Sequence, residues 1–190
     1  MTEDTKSRLL ESALAVFAER GADGGSMREI ARRAGVNVAT AYHHFGSKRD
    51  LLLAVFRDLK FLDAPELADW DVPSQGREPK DVLADIILLA WLFMATGANV
   101  VRVAVQEALK GDPEVNDVFD EWQKQGDAGI ERQLLGGKLA TPETVTRRAL
   151  TVRLSIWATF IEGLMKDTLN ETWLRPRAFQ VATSLVESWT

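Results

Sequence analysis

Apolar residues along this chain recur at intervals of three and four and nowhere alternate, so the sequence predicts helices throughout. Leu10, Ala13, Leu14 and Phe17 form the first stripe, on a helix that begins near Glu3 and is ended by Gly21. Met27, Ile30, Ala31 and Ala34 form the second, opened by an S-x-x-E capping box at Ser26 and Glu29. Gly35 closes it, because the position just past a helix end favours a residue at ease with positive φ, and Val36 follows as a buried plug. Asn37 is a favoured N-cap for a short helix from Val38 to His44. Phe45, Gly46 and Ser47 turn the chain, and Ser47 with Asp50 starts a further helix that continues through Val55 and Leu59.

Residues 63 to 78 contain Pro65, Pro73, Ser74 and Gly76 with weak periodicity and read as a connector. Beyond them, helices are expected near 79–96, 98–110, 113–135, 142–168 and 175–189. Asp112 before Pro113 and Thr141 before Pro142 each place an N-cap ahead of a first-turn proline, and Pro79 and Pro176 suit similar starts. The expected fold is all-α with about nine helices, divided into residues 1–62 and residues 63–190.

The second and third helices, separated by a turn of three or four residues, have the geometry of a helix-turn-helix, whose second helix fits a major groove. With Ala41 and Phe45 facing inward at i and i+4, Ala39 and His43 fall on the outward side, where side chains meet base edges. Thr40 and Tyr42 lie on the flanks, within reach of phosphates, and Val38 sits at the exposed N-terminal end. Lys48 and Arg49 bring positive charge to the start of the next helix, a setting suited to phosphate.

The stretch SMREIARRAGVNVATAYHHFGSKRDLLL resembles the DNA-binding segment of the tetracycline-repressor (TetR/AcrR) family of one-component transcriptional regulators. The residues that carry the resemblance are Ile30, Ala31, Ala34, Gly35, Val36, Thr40, Tyr42, Phe45, Ser47, Lys48 and Leu51. Asn37 replaces the commoner serine cap, and Ala41 the commoner leucine or isoleucine. The resemblance implies backbone contacts from Ser26, Thr40, Tyr42 and Lys48, with Arg28, Val38, Ala39 and His43 reading bases. It also implies an N-terminal three-helix DNA-binding domain, a C-terminal helical effector-binding and dimerisation domain, and a repressor that leaves its operator when a small molecule binds.

A net charge of −5 is at odds with DNA binding until the chain is divided. Residues 26–57 hold six Lys or Arg against two Asp or Glu, a net +4, so the remainder carries −9. Affinity follows the local basic footprint, and the acidic remainder favours solubility. There are no cysteines, and the only two histidines are adjacent and point apart on a helix, which excludes the usual metal sites. No catalytic triad, dinucleotide loop or Walker sequence is present, so no cofactor and no enzymatic activity are expected. The charged N-terminus lacks the apolar core of a signal peptide, and the longest uncharged run, Ile86 to Val101, is sixteen residues and too short to span a membrane. A cytoplasmic protein is expected.

The penultimate helix is apolar over more than half its circumference, with Ser155, Thr159, Glu162 and Lys166 as its only continuous polar line, and the last carries Ala182, Leu185, Val186 and Trp189 in a stripe. One face packs on the core and another calls for a second copy, giving a four-helix homodimer interface through the last two helices. Trp91, Met94, Phe119, Trp122, Trp157 and Phe160 are the candidate lining of a pocket for a small apolar or aromatic effector. The expected partner is a palindromic duplex operator. A helix-turn-helix activator or architectural DNA binder without a ligand remains the alternative.

Overall fold

The computed structural model describes residues 2–57 and 72–189, among which there are nine α-helices and no strand. They are α1 (Thr2–Gly24), α2 (Met27–Arg33), α3 (Val38–Phe45), α4 (Lys48–Arg57), α5 (Pro79–Thr96), α6 (Ala98–Leu109), α7 (Pro113–Gly136), α8 (Val145–Lys166) and α9 (Glu171–Ser188). The expected continuation of α4 to Leu59, the first part of the connector and the boundary at residue 62 lie outside the described residues.

By contact the chain divides into two compact units, one of residues 1–60 with 98–120, the other of residues 61–97 with 121–190. In the first unit α1 packs against α2, α4 and α6, and α2 packs against α3. Its core is Leu9, Ala13, Val16 and Phe17 from α1, Ile30 and Ala31 from α2, Ala41 from α3 and Leu51 and Phe56 from α4, each almost fully removed from water. Such burial contributes about 1.5–3 kcal/mol per large side chain and is what holds helices this short in place. Gly25, between α1 and α2, has no room for a side chain, since a Cβ there would lie 2.7 Å from Val16 Cγ1.

In the second unit α9 packs along α5, and α8 packs against both. Val82, Leu83, Ile86, Ile87 and Trp91 of α5 meet a core completed by Val152, Ile156 and Phe160 of α8 and Leu174, Ala178 and Ala182 of α9. The fully buried Trp91 donates its indole N–H to the Ile156 carbonyl at 2.9 Å, so its polar atom is satisfied within the core.

Two expected starts move. Thr141 does not cap α8: the Thr144 hydroxyl accepts from the Thr141 N–H at 3.0 Å, residues 142–144 form a turn, and the helix begins at Val145. Pro176 lies inside α9, which starts at Glu171 because the Asn170 side chain accepts from the Trp173 N–H at 3.0 Å. Pro79 and Pro113 do stand at first helical positions, the latter behind Asp112, whose Oδ1 accepts from the N–H groups of Glu114 and Val115 at 3.1 and 3.3 Å.

Replacing Trp91 with phenylalanine keeps most of the apolar bulk but removes the indole donor. The loss expected in urea denaturation is about 1–3 kcal/mol with an unchanged m-value; a loss within error of zero would show that the bond to Ile156 is immaterial.

Candidate nucleic-acid interface

α2 and α3 owe their ends to local chemistry. Ser26 Oγ accepts from the Glu29 N–H at 3.2 Å and starts α2. The Glu29 carboxylate, however, pairs with Arg33 at 3.0 Å and Arg20 at 2.9 Å. Past α2, Gly35 at φ 66° lets the Val36 N–H reach back to the Ala31 carbonyl at 3.0 Å, the bond of a glycine-terminated helix end, and leaves Val36 half-buried where a buried plug was expected. Asn37 Oδ1 accepts from the Ala39 N–H at 2.9 Å and opens α3.

α3 is eight residues long and buries Ala41 and Phe45. That fixes its rotation: Ala39, Tyr42 and His43 are exposed, and Val38 and Thr40 are half-buried. Tyr42 presents its phenol to solvent at 49% exposure. The His43 and His44 rings meet edge-on with centroids 5.9 Å apart. Ser26 and Arg28 are exposed at the start of α2.

The basic residues separate into two groups. Arg33 forks onto Glu19 at 2.8 and 2.6 Å and also bonds Glu29, and these carboxylates hold its guanidinium well above the ordinary arginine range. Lys48 donates to the carbonyls of Ala22 at 2.8 Å, Gly25 at 3.0 Å and Asp23 at 3.3 Å, which engages all three of its protons at the end of α1. Arg49 is bound by Asp112 and Glu114. Arg28 and Arg32, by contrast, are exposed at i and i+4 on α2, and their side chains make no ion pair or hydrogen bond among the described residues. Arg32 escaped the sequence reading, although its spacing from Arg28, opposite Met27, Ile30 and Ala31, was the available signal.

The expected effector residues are divided between the two units. Phe119 belongs to the first unit, the other five to the second. Trp91 and Phe160 are fully buried, Trp122 is nearly so, and Met94 and Trp157 are half-buried. Trp157 and Phe160 meet edge-to-face at 6.2 Å. On the neighbouring turns, Arg153 Nε lies 2.7 Å from Asp127 Oδ1, close but poorly aligned for a hydrogen bond, while its Nη1 donates to Gln123. Burial raises the Asp127 carboxyl above its usual range, against the pull of Arg153.

α8 has two apolar faces. Val145, Ala149, Val152, Ile156, Phe160 and Leu164 are buried, while Leu150, Leu154 and Met165 are 44%, 55% and 80% exposed. The polar line at Ser155, Thr159 and Glu162 faces Arg177, Gln180 and Ser184 of α9 across a groove of about 330 Å³. Among the described residues no single helix is long and apolar enough to cross a membrane.

Residues 9–55 match the bacterial regulatory proteins of the tetR family. Over 54 residues the chain is 46% identical to the HTH-type transcriptional regulator BetI of Rhizobium meliloti, covering 28% of this chain and 27% of that protein. Over 133 residues it is 27% identical to the HTH-type transcriptional repressor AcnR of Corynebacterium efficiens, covering 69% of this chain and 64% of that one. The chain therefore matches less than two thirds of the length of either relative. The fold is similar to that of the transcriptional regulator FadR from Bacillus subtilis, solved in complex with stearoyl-CoA, at a TM-score of 0.69 and 21% identity over 95% of this chain and 97% of that one.

Replacing Lys48 with methionine should cost about 1.5–3 kcal/mol of stability, since three carbonyls lose a charged donor. Thermal unfolding of the full chain measures it, and an unchanged midpoint would show that the three bonds add nothing.

Proposed function

We propose that this chain, a tetR-family regulator by its residues 9–55, is a repressor that binds a roughly palindromic operator as a homodimer and is released by a small, largely apolar effector. The observation that carries the reading is the rotation of α3: Ala41 and Phe45 are buried, Ala39 and His43 face out, and α2 beside it carries two unpaired arginines. A short helix so turned presents its outward side chains to base edges, and the exposed hydroxyls of Ser26 and Tyr42, with Thr40 at its flank, reach the phosphates. Val38 and Arg28 complete the base-reading set. Lys48, placed with the DNA contacts by the family resemblance, acts by holding the start of α4 against the end of α1.

Residues 1–62 form the DNA-binding domain in this reading, and residues 63–190 the effector and dimerisation domain. The exposed Leu150, Leu154 and Met165 on α8, together with α9, supply the face a second copy covers. Two copies of α3 held about 34–36 Å apart then read successive major-groove faces of one duplex. The effector site draws on Trp91, Met94, Trp122, Trp157 and Phe160 of the second unit, with Arg153, Gln123 and Asp127 as polar groups near Trp122 and Trp157 along α7 and α8. Efficient release requires the effector to prefer the non-binding form about 100-fold, a coupling near 3 kcal/mol.

Replacing Arg32 with glutamine should weaken binding to all duplexes alike and lower the slope of log affinity against log salt by about 0.9 per subunit, while the Lys48 change leaves that slope intact. Replacing His43 with alanine should shift preference by about 1–3 kcal/mol at one base position per half-site, read by binding to a randomised operator library; an unaltered preference would place α3 in another orientation on DNA. Leu154→Glu should convert the dimer to a monomer in sedimentation and abolish tight operator binding, and a dimer that survives it would place the subunit interface elsewhere.

A further inference from the structure

Lys110, Asp112 and Glu114 form the corner between α6 and α7, and each holds a residue of the N-terminal helices. Lys110 Nζ bridges Asp23, at the end of α1, and the buried Glu107, both at 2.7 Å. Arg49, at the start of α4, lays its fork on Asp112, one arm reaching Oδ1 at 2.7 Å and the other reaching Oδ2, and bonds Glu114 through Nε at 3.0 Å and Nη2 at 2.7 Å. Lys48, the next residue, closes the figure by gripping the carbonyls at the end of α1. The arginine placed by sequence at a phosphate site therefore has its donors turned onto two carboxylates of its own chain, 63 and 65 residues away.

Asp112 performs two tasks with one carboxylate. Its Oδ1 caps α7 through the N–H groups of Glu114 and Val115, and the same oxygen receives Arg49. Cap and ion pair share one oxygen: a movement of the first turn of α7 carries Asp112, and the bond to Arg49 passes it to the first turn of α4. Arginine suits the role because its planar fork binds both carboxylate oxygens at once, fixing direction as well as distance. Arg49 pulls the Asp112 carboxyl down to about 2, so the contact is charged at neutral pH. An isolated surface ion pair contributes little, but a bidentate, three-membered junction at a helix start constrains geometry even where it adds little stability.

We propose that Asp112 and Arg49 form the joint through which α7 sets the pose of α4, and so of the DNA-reading helices, with Arg49 acting as a positioning residue and not as a phosphate ligand. The inference rests on the DNA-binding reading above for its consequence but not for its geometry. α7 begins at this joint, so a displacement of its first turn is delivered to the start of α4.

The test uses the full chain with Arg49→Met, Asp112→Asn and the double substitution. Asparagine caps a helix as well as aspartate does, so Asp112→Asn removes the charge while keeping α7 intact. Without DNA, both single variants should speed hydrogen exchange at residues 48–52 about three-fold or more, and unchanged exchange there would overturn the joint. On a duplex that the unaltered chain binds, both should weaken affinity about three- to ten-fold, the double variant no more than the worse single, with the salt slope unchanged. Tighter binding by Asp112→Asn, or a slope lowered by about 0.9 per subunit in Arg49→Met, would mean that Arg49 serves phosphate and would sink the proposal. Equal affinity in all four proteins, or additive losses, would do the same. Should the unaltered chain bind no duplex, the functional reading fails, while the exchange measurement still decides the joint.

Discussion

An eight-residue helix does not hold its shape alone in water, because the cost of its first turn is never recovered over so short a length. Whatever α3 reads, it reads because its surroundings impose a conformation and a rotation on it. Asn37 supplies the opening bond, Gly46 the exit at φ 67°, and the burial of Ala41 and Phe45 leaves one rotation that keeps both out of water. The rest of the N-terminal unit serves that constraint. α1 gives α2 and α4 a common wall, and charged side chains fix what apolar contact alone leaves free to slide: Arg33 ties α2 to α1, and Lys48 ties α4 to the end of α1.

Much of this was legible in the sequence because it is local. Ser26, Asn37, Ser47 and Asp112 bond N–H groups two or three residues on, a range at which residue type and spacing suffice. The rotation of α3 followed from two apolar positions at i and i+4. The same logic misplaced the starts of α8 and α9. Thr141 and Thr144 bonded each other in a turn at 141–144, and Asn170, with Leu174 buried just beyond it, began α9 before its proline. The partners of Lys48 and Arg49 were beyond any local reading, since they lie 23 to 65 residues away in the chain. A positive charge at a helix start looks the same in sequence whether it faces a phosphate or a carboxylate of its own protein.

The second unit was less legible for a different reason. Aromatic residues at helical spacing fill a core and line a ligand site by one pattern, and only the structure separates Trp91, whose N–H is spent on a neighbouring carbonyl, from the half-buried Trp157. The cluster of Arg153, Asp127 and Gln123 had no sequence signal, because its members come from two helices. A charged pair at 17% and 37% side-chain exposure costs desolvation that an apolar pair would avoid.

Gly163 bears on how closely the last two helices join. A Cβ at this position would lie 2.5 Å from Leu169 Cδ2 and 2.9 Å from Trp173 Cζ3, so the bare backbone of α8 lets the following hairpin close directly upon it. With no side chain acting as a spacer, the end of α8 meets the start of α9 without a gap, and any larger residue at 163 would wedge the two apart.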